Sequence, residues 1–79
     1  MVTTTKSVQS IMAELLDMPE TSIVDELSMK TVESWDSLMQ MQIVMTIEET
    51  FDMVLTINEI AKMQSVLEIK QVLHEHGIQ

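Results

Sequence analysis

Val8, Ile11, Met12, Leu15 and Leu16 follow the i, i+3, i+4, i+7, i+8 spacing that places side chains on one face of a helix. A first helix is therefore expected from Lys6 or Ser7 to about Asp17. Pro19 stops it, because its ring cannot continue a helical turn and it pushes Met18 out of helical geometry. Residues 1–5 read as a frayed tail. Between positions 19 and 35 no period persists, and Ile23, Val24, Leu27, Met29, Val32 and Trp35 stand irregularly among Thr, Ser, Asp and Glu. A loop of this length is uncommon in a small domain and is often functional. Its apolar residues imply that it is pinned to the core, with a short turn over residues 23–27.

From Leu38 to Phe51 the chain has no Pro or Gly, and apolar residues again recur at helical spacing, so a second helix is expected there. At 100° per residue Ile43, Val44, Ile47 and Phe51 form a normal core face, whereas Leu38, Met41 and Met45 form a second stripe, set apart by Glu48. Gln42, Thr46, Glu49 and Thr50 complete the polar side. The second stripe has two readings: a wider buried face, or a docking surface for which flexible, polarizable Met is well suited. Asp36 and Ser37 precede this run, and either one suits the N-cap. A hydroxyl there stands where free N–H groups and the helix dipole favour a phosphate.

Residues 52–55 make the next connection. Thr56 with Glu59 three residues on forms a capping box for a short helix anchored by Ile57, Ile60 and Met63. Ser65 with Glu68 forms a second box, opening a last helix to about His76 with Val66, Ile69, Val72 and Leu73 inward. Gly77, the only glycine, stands where a helix C-cap wants a left-handed residue. The pattern is all-α, with three substantial helices, one short one and no convincing strand. A strand over residues 53–57 would have no partner.

Composition narrows the function. The 79 residues make one small domain, with no Cys and so no disulfide, thiolate metal site or nucleophilic Cys. Thirteen acidic residues face four Lys and no Arg, a net charge of −9. Residues 31–61 carry Glu33, Asp36, Glu48, Glu49, Asp52 and Glu59 and no base, so that segment alone is −6. This sign is wrong for nucleic acid and for an anionic membrane surface. It favours partners with basic patches, or serves only to keep the domain soluble. No signal-like apolar run and no stretch near the ~18 apolar residues of a membrane span is present, so a cytoplasmic protein without membrane insertion is expected. His74 and His76, at i and i+2 on a helix, point apart and make a poor metal pair, and no calcium-loop spacing of acids occurs. No metal is expected. Nothing activates Ser37 as a hydrolase nucleophile either: there is no Gly-x-Ser-x-Gly turn, and both His lie at the far end of the last helix.

Asp36-Ser37-Leu38 heading a helix that ends Ile47-Glu48-Glu49-Thr50-Phe51, in a short acidic chain with this helix order, resembles the acyl carrier proteins. The resemblance runs from about Lys6 to His76. It implies an acyl-carrier-like four-helix bundle with a long first loop and a short third helix, spanning residues 1–79 as a single carrier domain. It implies 4'-phosphopantetheine, taken from coenzyme A, on Ser37, with acyl groups carried as thioesters, and a passive chain rather than an enzyme. Asp36 would orient the site, and Leu38, Met41, Met45, Glu48 and Glu49 would form the partner-docking face. Met39, Gln40 and Gln42 stand where the fatty-acid carriers have acids, which suggests a more apolar, dedicated interface. Trp35 replaces the usual Gly of those carriers, so Trp-Asp-Ser-Leu looks more like stand-alone carriers of specialised pathways. Its indole would either line the exit of the prosthetic arm or cover the apolar underside of the loop. The implied partners are a phosphopantetheinyl transferase and acyl-loading and acyl-processing enzymes such as acyltransferases or ketosynthases, served by a monomer. Peptidyl carriers usually place Gly-Gly just before the Ser, which this chain does not. An aminoacyl or peptidyl carrier and an unmodified acidic interaction module are the alternatives.

Overall fold

The computed structural model describes residues 7–78, so the frayed tail expected over residues 1–5 lies outside the described residues. Four helices run in order: α1 (Val8–Leu16), α2 (Ser37–Phe51), α3 (Ile57–Lys62) and α4 (Val66–Glu75). A single 3₁₀ turn, Glu20–Ser22, follows Pro19. The turn expected over residues 23–27 is also present, closed by the Leu27 N–H to the Val24 carbonyl at 3.0 Å.

The expected periodicities account for the core. Val8, Ile11, Met12 and Leu16 of α1 pack with Ile43, Val44 and Ile47 of α2 and with Val66, Ile69, Val72 and Leu73 of α4. Each such side chain contributes about 1.5–3 kcal/mol by leaving water. Ile23, Trp35, Leu55 and Met63 close the core from the connections. Ile57 is a correction: it is 84% exposed, because as the first residue of α3 it points away from the core, leaving Ile60 and Met63 as the anchors. The second stripe of α2 is exposed as well, Leu38 at 72%, Met41 at 52% and Met45 at 56%, so it is not a wider buried face.

Local chemistry sets the helix ends. Ser7 caps α1, its hydroxyl accepting the Ser10 N–H at 3.2 Å while the Ser10 hydroxyl accepts the Ser7 N–H at 2.9 Å. The Thr56–Glu59 box forms as expected. At α4 the expected box is altered. Ser65 accepts the Glu68 N–H at 3.1 Å, but the Glu68 carboxylate takes the Gln64 N–H at 3.3 Å and the Ser65 hydroxyl at 3.2 Å. Residue 65 also pairs with the first loop: Met29 N–H donates to Gln64 O at 3.0 Å and Val66 N–H to Leu27 O at 2.9 Å. Leu67 N–H adds a 3.2 Å bond to Asp25 O, and Lys70 Nζ meets Asp25 Oδ1 at 2.8 Å. The long loop is thus fastened by backbone bonds to the start of α4 as well as by its apolar residues. Gly77 closes α4 at φ +81°, with Ile78 N–H returning to Leu73 O at 2.8 Å.

Helices α1 and α2 stop differently. Asp17 and Asp52 both adopt left-handed backbone, φ 55° and 52°, with their N–H groups bonded to Ala13 O and Glu48 O. An L-residue is strained there, and an acid is unfavourable at the negative end of a helix. Asp17→Gly relieves both, partly offset by the entropy of a freer unfolded chain. The expected gain is about 0.5–1 kcal/mol, seen as a rise of about 2–8 °C in Tm. A fall in Tm would show that the Asp17 side chain contributes something the backbone argument misses.

Candidate functional site

The mouth of α2 is built by the residues on either side of it. Asp36 takes extended backbone, φ −101° and ψ −171°, and its Oδ1 accepts the Met39 N–H at 2.9 Å. Asp36, and not Ser37, is therefore the N-cap. Ser37 is the first residue inside the helix and is exposed. Among the described residues no group holds its hydroxyl, and none accepts from the N–H groups of Ser37 and Leu38. The contrast with α4 is sharp, where the N–H groups of Val66, Leu67 and Glu68 are all taken by the loop and the cap. The start of α2 thus offers an accessible hydroxyl beside two open donors at the positive end of a dipole, which suits a phosphate ester.

Trp35 lies beneath this turn with 1% of its surface exposed, so its indole covers the underside of the loop. Gln40 is the residue sequence reasoning misplaced. Far from standing on the outer face, it is 8% exposed, accepts the Trp35 Nε1–H at 2.6 Å and donates to Met63 O at 2.8 Å. Its spacing from Ile43, Val44 and Ile47 (i+3, i+4 and i+7) was the available signal: position 40 lies on the core stripe. Met39 is half-buried, leaving Gln42 as the exposed member of that trio.

The remaining site candidates divide into two groups. Leu38, Met41, Met45 and Glu49 are exposed along α2. Glu48 is half-buried and engaged, its Oε2 accepting the Leu55 N–H at 2.9 Å, so it holds the connection after α2 as well as edging the outer face. Met45, Glu48, Glu49 and Asp52 together line a shallow depression at the end of α2. Val54, at 79% exposure, is an exposed apolar residue that periodicity did not single out.

His76 does not point to a metal. Its Nε2 meets Glu59 Oε2 at 2.6 Å and ties α3 to the end of α4. Among the described residues no group of three or more His, Asp or Glu is placed to hold a metal. The Glu59 carboxyl is held below its usual value of 4.5, first by the Thr56 N–H and then by His76. A lowered carboxyl contributes stability at neutral pH that is lost as pH falls through its folded value. Glu59→Gln keeps an acceptor for the cap but not the charge. The melting gap between wild type and variant is expected to close as pH is lowered from about 7 to about 3; a gap independent of pH removes this account.

The described helices thus present an exposed serine at the open start of α2. The chain matches the family model for the phosphopantetheine attachment site over residues 6–73 and belongs to that family. No curated protein matches it. Its cofactor is covalent 4'-phosphopantetheine. Domains of this family are generally non-catalytic and work with a phosphopantetheinyl transferase and with biosynthetic enzymes. No helix among the described residues is long and apolar enough to cross a membrane.

Proposed function

We propose that residues 1–79 act as a single acyl carrier domain, with 4'-phosphopantetheine attached to Ser37, in a polyketide, fatty-acid or related biosynthetic pathway of the specialised, Trp-Asp-Ser-Leu type. The observation that carries the site assignment is the exposed Ser37 hydroxyl, left unheld because Asp36 does the capping. In the transfer, Ser37 Oγ forms the new P–O bond, the pyrophosphate linkage of coenzyme A breaks, and adenosine bisphosphate leaves. The hydroxyl proton passes to the transferase or to solvent. Ser37 is a passive acceptor here, and Asp36 holds the helix end that displays it. Once attached, the cofactor supplies a terminal thiol on a long arm, where acyl groups are held. The exposed Leu38, Met41, Met45 and Glu49, edged by Glu48, are the face offered to acyltransferases or ketosynthases.

Intact mass after incubation with a broad-specificity phosphopantetheinyl transferase and coenzyme A tests the reading. One added phosphopantetheine supports it. A folded wild-type chain that gains nothing, with the transferase of its own source as well, favours an unmodified interaction module.

A further inference from the structure

Position 40 belongs to the core stripe of α2, where Leu or Met would fill the space without burying polar atoms. Gln40 stands there instead, the one buried polar side chain among the described residues, and both ends of its amide are used. Trp35 comes two residues before Ser37 and Gln40 three after it. The 2.6 Å bond from Trp35 Nε1–H to Gln40 Oε1 therefore closes under the exposed Asp36-Ser37-Leu38 turn, joining the incoming loop to the outgoing helix. The second bond, Gln40 Nε2 to Met63 O at 2.8 Å, fixes that closure to the end of α3. Gln64, the next residue, accepts from Met29 of the long loop at 3.0 Å, so the middle of the loop and, through Gln40, its Trp35 end are both tied to residues 63–64.

We propose that Gln40 and Trp35 are positioning residues for the modification of Ser37: their bridge holds the turn so that the hydroxyl is presented at a fixed place relative to α2 and α3. This rests on the assignment of Ser37 as the attachment site. Phosphoryl transfer needs the attacking oxygen close to phosphorus and in line with the leaving group, and misplacement of about 1 Å costs up to about 100-fold. Neither residue reaches the outer surface where coenzyme A would approach: Trp35 and Gln40 are both buried. Both act through the backbone of residues 36–38.

The test compares wild type, Gln40→Met and Trp35→Phe as substrates of a broad-specificity transferase with coenzyme A, read by intact mass, together with hydrogen exchange of the single indole N–H followed by NMR. Gln40→Met keeps the volume of a core-facing side chain and removes both bonds. It is expected to lower kcat about tenfold with an unchanged KM for the carrier, because the outer face of α2 is untouched. Its indole N–H should exchange faster than in wild type. Trp35→Phe should lower kcat similarly, and the double variant should fall little further, since both changes break one bridge. A purely structural role would instead shrink the folded fraction, raising apparent KM and sparing kcat. That pattern, or a normal kcat in Gln40→Met with a freely exchanging indole, overturns the inference while leaving Ser37 as the modified residue. If Gln40→Met does not fold, the kcat of Trp35→Phe decides by the same criterion. A folded wild type that takes no phosphopantetheine overturns the Ser37 assignment and the inference together.

Discussion

Ser37→Ala is expected to gain no phosphopantetheine mass at all while remaining as folded as wild type. The two halves of that expectation come from different atoms. Modification needs the Oγ, which the variant lacks. Stability needs the cap, which is Asp36 Oδ1 on the Met39 N–H at 2.9 Å and is left in place. Losing an N-cap costs about 1 kcal/mol, and that cost belongs to Asp36→Ala. At the first helical position Ala is a slightly better helix former than Ser, so the Tm of Ser37→Ala should stay within about 3 °C of wild type. Intact mass and a thermal melt on the same samples separate the effects. A mass gain that survives in Ser37→Ala would put the attachment elsewhere, with the exposed Ser34, the hydroxyl nearest in sequence, the first to examine.

Much of this could be read from the sequence because helix periodicity and capping are local. The spacing of Val8, Ile11, Met12 and Leu16 gave α1 almost to the residue, and Thr56 with Glu59 gave the start of α3. Asp36 and Ser37 could be placed at a helix mouth but not ranked as cap, since both residue types accept the same bond. Ranking them needed the backbone, which puts Ser37 inside the helix. Ile57 misled because spacing finds a face without saying whether a neighbour covers it. The left-handed ends at Asp17 and Asp52 gave no signal, because Asp enters that conformation without the glycine that normally marks it.

The parts that stayed hidden depend on residues distant in the chain. Gln40 looked like an outer residue because it is polar and stands among Met39, Met41 and Gln42. Its partners, the Trp35 indole and the Met63 carbonyl, lie 5 and 23 residues away. Glu48 likewise read as surface charge, although it spans 7 residues to cap the Leu55 N–H. In both cases a polar side chain is held by a backbone or indole group whose position only the fold determines. The same holds for the first loop, where apolar residues announced that it would be pinned but not that Leu27 and Met29 would pair with residues 64 and 66.

The outer stripe of α2 carries the second large expectation. Met41→Glu should leave the helical circular dichroism and the melting nearly unchanged while lowering the turnover of a partner enzyme by about 10- to 100-fold. The stability half follows from exposure. Met41 is already 52% exposed, so an acid there keeps its hydration, and Glu and Met have similar helix propensities. The neighbouring core stripe gives the contrast: Ile47 is 0% exposed, and Ile47→Glu buries an unpaired charge and should unfold the domain. The turnover half follows from what an interface centre costs when it loses apolar contact, about 1–3 kcal/mol for a residue seated in a partner's pocket. Adding an acid to a chain already at −9 does not weaken long-range attraction to a basic partner, so a loss of turnover comes from the contact itself, through lost apolar packing and the cost of desolvating the new carboxylate. The measurement is kcat/KM of an acyl-loading enzyme with phosphopantetheine-bearing wild type, Met41→Glu and Met45→Glu, each checked by circular dichroism. Wild-type turnover in both folded variants would remove Met41 and Met45 from the docking face and leave Leu38 and Glu49 as its candidates. A loss in both variants, with intact fold, makes the second stripe the reason α2 is apolar on two sides: one holds the domain together, and the other is kept bare for the enzymes it serves.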